Sequence, residues 1–149
     1  MLSNKAKYGL KALIYIAQHA DTSVQSAEIA EAKNIPKKFL DAILLDIKNN
    51  GILYSKKGKG GGFQLARPAR RILVGQVIRL LDGPLAPIEC AGRGDGQLCT
   101  DCSGEREDCQ VRSLMREVHE AIVAILDHRT LEEIIQAPAQ EPFILRYDI

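Results

Sequence analysis

The sequence predicts a mainly α-helical fold with one small β-hairpin, and three observations lead there. Apolar residues recur at helical spacing through most of the first 81 residues and again from about residue 108 to 126. Two short β-like runs flank a stretch of lysine and glycine, KKGKGGG, at 56–62. All four cysteines of the 149-residue chain crowd into residues 90–109, a segment without hydrophobic periodicity that separates the two helical parts.

The first helix is expected over residues 4 to about 20, with Tyr8, Leu10, Leu13, Ile14, Ile16 and Ala17 inward and Lys5, Lys7 and Lys11 outward. Ser26 is placed to cap a short second helix over 27–33, and Asn34-Ile35 breaks it. Pro36 suits the first turn of a third helix, KKFLDAILLDIKNN, whose apolar stripe is Phe39, Leu40, Ile43, Leu44 and Ile47 and which Gly51 stops. Short helix, tight turn, second helix is a helix-turn-helix outline, and the hairpin of 52–55 and 63–65 that follows makes it winged. A fourth helix covers 73–81 and closes at Asp82-Gly83-Pro84.

From about 108 to 126 a long helix carries Val111, Met115, Val118, Ile122 and Ile125 at steps of four, three, four and three. That is a heptad seam, too short for a free coiled coil, which predicts packing against a second copy of the chain. Glu105, Glu107 and Asp108 near its start suit the helix dipole. Thr130-Leu-Glu-Glu133 reads as a capping box opening a last helix to about 136. The expected organisation is 1–82 winged helix-turn-helix region, 83–109 cysteine-rich loop, 110–136 dimerisation and capping helices, and a 137–149 tail to which no role is assigned.

A net charge of +1 conceals a division. Residues 1–71 hold ten Lys and three Arg against five acids, a net of +8, while residues 72–149 hold seven Arg against fourteen acids, a net of −7. Only the first half is suited to a polyanion. No apolar stretch is long enough to span a membrane, and the amino-terminal twenty residues read as structure and not as an export signal, so a cytoplasmic location is expected. In a reducing cytosol, four clustered cysteines, Cys90, Cys99, Cys102 and Cys109, suggest metal binding or reversible redox chemistry, not structural disulfides. Four thiolates suit an iron–sulfur cluster and zinc alike.

The residues expected to meet double-stranded DNA lie in two places. Lys37, Lys38, Phe39 and Asp41 occupy the amino-terminal end of the third helix, the part of a helix-turn-helix that faces base edges. Lys38 can reach a guanine edge or a phosphate, and Asp41 can accept from a cytosine amino group while being repelled by phosphate. In the wing, Lys56, Lys57 and Lys59 with Gly60 and Gly61 bring charge and close backbone approach to phosphates. Arg67, Arg70 and Arg71 extend the basic stripe. A nucleotide-phosphate loop is excluded because no Gly-Lys-Ser/Thr opens a following helix. A thioredoxin-like enzyme would need its CxxC at a helix start in a βαβ context, which is absent, so no enzymatic activity is expected. His19, His119 and His128 are taken as surface or packing residues.

The order KAKYGLKALIYIA, IPKKFLDAILLDIKNNGIL, KKGKGGGFQL, ILVGQVIRLLDGP and a cysteine loop before a long helix resembles the IscR, NsrR and CymR family of bacterial winged-helix regulators, from residue 2 to about 136. The resemblance implies a homodimer on a palindromic operator, crossed long helices and, in many members, an iron–sulfur cluster in the loop. By position it places the minor-groove wing residue on Lys57 and the operator-selecting acid on Asp41. The loop departs from the family pattern. The usual histidine ligand position is Arg112, the alternative carboxylate position on the first helix is Lys7, and there is an extra cysteine. The expectation is therefore a cluster, of 2Fe–2S type, on Cys90, Cys99, Cys102 and Cys109, with zinc or a metal-free thiol/disulfide switch as alternatives.

Overall fold

The computed structural model describes residues 2–92 and 109–137. The order is α1 (Asn4–Gln18), α2 (Ser26–Lys33), α3 (Lys37–Asn49), β1 (Leu53–Lys56), β2 (Gly62–Leu65), α4 (Val74–Asp82), α5 (Gln110–Leu126) and α6 (Leu131–Gln136), with single 3-10 turns at Ala69–Arg71 and Glu89–Ala91. None of the described helices is long and apolar enough to cross a membrane.

Helix α1 lies at the centre and packs against α3, α4 and α6. Its buried face is Ala6, Gly9, Ala12, Leu13 and Ile16. Helix α3 meets it with Leu40, Ile43, Leu44 and Ile47, all fully buried, which is four-fifths of the stripe expected from the sequence. The fifth, Phe39, sits at the edge of the core. Each buried Leu or Ile here removes enough apolar surface to contribute about 1.5–3 kcal/mol, so α3 is held by burial and its exposed face is free to vary.

Some boundaries differ from the sequence expectation. The residue preceding α2 is Gln25, and Ser26 is its first helical residue without a capping bond; the Ser26 hydroxyl instead meets Asp41. Asn34 takes the left-handed conformation at φ 51°, which ends α2 and lets the chain turn. Pro36 stands one position outside α3. Its extended ψ of 118° aims its carbonyl at the Phe39 and Leu40 N–H groups at 3.0 Å, so it starts the helix from the cap position. Helix α1 ends at Gln18, α4 starts at Val74 and α5 at Gln110.

The wing pairs β1 and β2 antiparallel, Leu53 opposite Leu65 and Lys56 opposite Gly62. A contact invisible to local pattern broadens it. Val24 and Phe63 exchange both backbone hydrogen bonds, at 3.0 and 2.8 Å, adding a one-residue third strand. Gly62 permits this: at φ +149° a side chain is strained, and a Cβ would lie 2.5 Å from the Val24 carbonyl oxygen. The wing is thereby pinned to the helix-turn-helix and not only to its own turn.

The long helix α5 joins the winged unit at one end. Arg79 of α4 grips Asp127, just past α5, with both terminal nitrogens at 2.6 and 2.8 Å. Val74 N–H donates to the Arg129 carbonyl and Leu131 N–H to the Ile72 carbonyl. Gly75 allows the approach, since a Cβ there would meet the Asp127 carboxylate at 2.2 Å. Thr130 and Glu133 form the capping box of α6 in both directions, with the Thr130 groups holding the Glu133 carboxyl below its ordinary range.

Candidate nucleic-acid interface and cysteine loop

The amino-terminal end of α3 presents Lys37, Lys38 and Phe39 to solvent. Asp41 is half-buried one turn on. The Lys37 Nζ donates to Asp41 Oδ2 at 2.7 Å, and that contact, with a hydrogen bond from the Ser26 hydroxyl, holds the Asp41 carboxyl below the ordinary carboxylate range. Asp41 is therefore ionised and aimed. Lys37 is already committed to it, whereas Lys38 has no ion-pair partner among the described residues. Phe39 is 43% exposed and sets its ring edge-on to Tyr8 of α1, centroids 6.0 Å apart. Half of the ring seals the core and half remains at the surface.

In the wing, Lys56, Lys57, Lys59 and Gly60 are all exposed. Gly61 is half-buried, where its N–H donates to the Gly58 carbonyl at 2.9 Å and closes the turn. Three ammonium groups thus project from a turn of minimal bulk, which can approach a phosphate backbone closely. Tyr54 and Gln64 hydrogen-bond across the two strands and brace the wing from its base. One arginine of the expected basic stripe does not belong to it. Arg67 turns inward and donates through Nη2 to Gln76 of α4 at 2.9 Å, while Arg70 and Arg71 are exposed.

Of the four cysteines, Cys90 and Cys109 lie in the described part and both are half-buried; Cys99 and Cys102, like Glu105, Glu107, Asp108 and the tail beyond Ala137, lie outside the described residues. Cys90 sits in the 3-10 turn Glu89–Ala91, and Cys109 caps α5, its Sγ accepting from the Arg112 N–H at 3.4 Å. The Arg112 Nε also donates to the Cys90 carbonyl at 3.0 Å. Arg112 therefore ties together the segments that hold Cys90 and Cys109. Among the described residues, no group of three or more His, Cys, Asp or Glu converges.

The heptad seam of α5 is largely uncovered: Val111 is 63%, Val118 38% and Ile125 60% exposed, and Leu114 beside them 55%. The side of α5 that the chain itself covers carries His119 and Val123. His119 is thus a packing residue, one of the two placements expected from the sequence.

Comparison with known proteins agrees with this geometry. The profile of the family described as "Rrf2: Iron-dependent Transcriptional regulator" matches residues 2–137. A protein of Rhodobacter capsulatus named as an rrf2-like HTH-type transcriptional regulator is 36% identical over 141 residues, covering 92% of this chain and 93% of that one. The HTH-type transcriptional regulator IscR of Klebsiella pneumoniae is 30% identical over 135 residues, covering 90% of this chain and 78% of its own. Among solved structures, CymR, described as the global cysteine regulator of B. subtilis, superposes with a TM-score of 0.74 at 28% identity, covering 91% and 95% of the two chains. With a family match that runs from α1 through α6 and takes in the wing and the cysteine loop, this chain belongs to the Rrf2 family of transcriptional regulators.

Proposed function

We propose that the chain works as a homodimer on palindromic double-stranded DNA, its operator affinity set by the state of Cys90, Cys99, Cys102 and Cys109. Members of its family are transcriptional regulators and not enzymes, and such a protein acts where the chromosome is, in the bacterial cytoplasm. The observation that carries the reading is the joined pair of exposed lysine sites, the start of α3 and the wing turn, on the half of the chain with a net charge of +8.

The geometry supports the following roles. Lys56, Lys57 and Lys59, with the Gly60 and Gly61 backbone, hold phosphates. Lys38 reaches a base edge or phosphate. Lys37 positions Asp41, which accepts from a cytosine amino group, and Phe39 sets the depth of the helix by bracing it on Tyr8. The four cysteines hold an iron–sulfur cluster, of 2Fe–2S type, which supplies a redox- and iron-dependent state when bound. A metal-free thiol/disulfide switch is the second reading, favoured by the tie that Arg112 makes between the Cys90 and Cys109 segments and by the likeness to CymR. Either state change acts at the amino-terminal end of α5, whose other end is clamped to α4 by Arg79 and Asp127.

Binding should weaken steeply with salt. Lys57→Ala is expected to lower affinity for every duplex alike and to reduce the slope of log K against log salt by about one, read by fluorescence anisotropy. An unchanged slope would remove Lys57 from the interface. Asp41→Ala should act differently. It removes a carboxylate that phosphate repels, so affinity for mismatched operators should rise toward that for the preferred one, by about 1–3 kcal/mol per discriminated base pair. Competition binding on single-base operator variants measures this, and an unaltered ranking would deny Asp41 its role.

A further inference from the structure

Between the end of α4, the segment 84–92 and the middle of α5 lies a cavity of about 850 Å³. That is within the range of roughly 300–1,000 Å³ typical of small-molecule sites. Its walls are mainly apolar, formed by residues 84–88 and Val123, and three polar groups face it: Arg79, His119 and Glu89. His119 is the buried polar residue of the described chain, at 6% exposure, and its ring has no hydrogen-bond partner among the described residues. Its ring nitrogens are not among the fully buried side-chain atoms left without a partner, so an occupant of the cavity can reach them. Arg79 gives Asp127 one hydrogen from each terminal nitrogen, which leaves further N–H groups of the guanidinium available. Arg79 lines the cavity; Asp127 does not. Glu89 is exposed, at the rim.

His119 stands apart from the Arg112 tie that joins the Cys90 and Cys109 segments. Arg112, which holds the Cys90 carbonyl, lies seven residues before His119 on α5, roughly 10 Å along the helix axis. Of the described cysteines, neither Cys90 nor Cys109 lines the cavity.

We infer that this cavity binds a small monocarboxylate with an apolar body, an aromatic or branched aliphatic acid, whose carboxylate is received by His119 and Arg79. The body lies against the proline-rich 84–88 wall and Val123. Glu89 at the rim repels a second negative charge, which disfavours dicarboxylates and phosphates. An occupant of this shape holds the 84–92 segment against α5 beside the Cys90 turn, and so gives the junction between winged unit and long helix a second input. The effect on operator affinity rests on the function proposed above; the binding itself does not.

The test is calorimetric titration of the full-length protein, without DNA, with phenylacetate, phenylacetamide and phenethylamine, which share a body and differ in the head group. Phenylacetate should bind saturably at one per chain, the amide about tenfold or more weakly, and the amine not detectably. His119→Leu, which supplies an apolar side chain of similar size, should weaken phenylacetate about tenfold or more while the thermal midpoint holds or rises. Ala86→Trp, filling the wall from the opposite side, should abolish binding and leave His119 in place. Equal binding of the three probes, failure of phenylacetate to saturate, or unaltered binding to both variants would overturn the assignment. Each of those results leaves the DNA measurements with Lys57→Ala to stand or fall by themselves.

Discussion

A chain carrying Val118→Glu and Ile125→Glu is expected to be monomeric and to bind a palindromic operator on the order of 10²–10⁴-fold more weakly. Both positions are exposed on the single subunit, at 38% and 60%, and belong to a row with Val111 and Leu114 that nothing in the described chain covers. An apolar row of that length along one helix marks a protein interface. Glutamate at an exposed helical position costs the subunit little, so its fold should persist. Across a dimer seam it places like charges face to face in an apolar contact. Once the subunits separate, the second half-site is no longer bound at high effective concentration, and the large loss follows from that alone. Sedimentation velocity, circular dichroism and operator titration on the same sample check the three parts. A double variant that stays dimeric would assign the seam to some other use.

Replacing Cys90, Cys99, Cys102 and Cys109 together by Ser should leave a folded dimer that still binds duplex DNA but no longer distinguishes anaerobic iron-loaded, reduced and oxidised conditions. In the unaltered chain those conditions are expected to separate operator affinity by about 5- to 150-fold, a coupling of roughly 1–3 kcal/mol. Cys90 lies in a short 3-10 turn and Cys109 at the cap of α5, both are only half-buried, and Arg112 ties the two segments together. The loss should therefore concern regulation and not stability. Anisotropy titrations under the three conditions, with iron and sulfide analysis of each sample, measure it. Colour and sulfide in the unaltered protein would favour the cluster, a reversible two-thiol change without metal the disulfide switch, and one tightly held zinc neither. If the serine chain kept the same spread of affinities, the cysteine loop would have no sensing role.

The elements legible in the sequence are those whose cause is local. The stripe Leu40, Ile43, Leu44, Ile47 announces a helix with one buried face because those positions lie on one side at 3.6 residues per turn. The KKGKGGG turn announces a tight, positively charged hairpin, and Thr130 with Glu133 announces a helix start three residues apart. Within these helices the differences lie at the ends. Pro36 stands outside α3 and not in its first turn, because an extended proline can point its carbonyl at the same N–H groups that a capping side chain would satisfy.

What escaped the sequence arises from segments far apart along the chain. Arg67 looks like one more basic residue beyond the wing until α4 places Gln76 beside it. Lys37 reads only as one more residue at the base-facing end of α3, and its pairing with Asp41, together with the Ser26 hydroxyl from the start of α2, is visible only in the folded chain. His119 reads as either a surface or a packing residue, and the choice of packing falls to α5 and the 84–92 segment, which meet around one cavity.

Composition and periodicity alone determined the helix-turn-helix with its wing, the split of charge between the two halves and the gathering of thiols into one loop. Each of those depends on residues within a few turns of one another, where spacing dictates which side is buried. Tertiary structure decided which charges are already paired, that the wing is stitched to Val24, that Arg112 binds the ends of the cysteine loop together and that Arg79 clamps α4 to the end of α5. Those outcomes require two distant backbones to meet at hydrogen-bonding distance, and no one-dimensional pattern encodes a meeting of that kind.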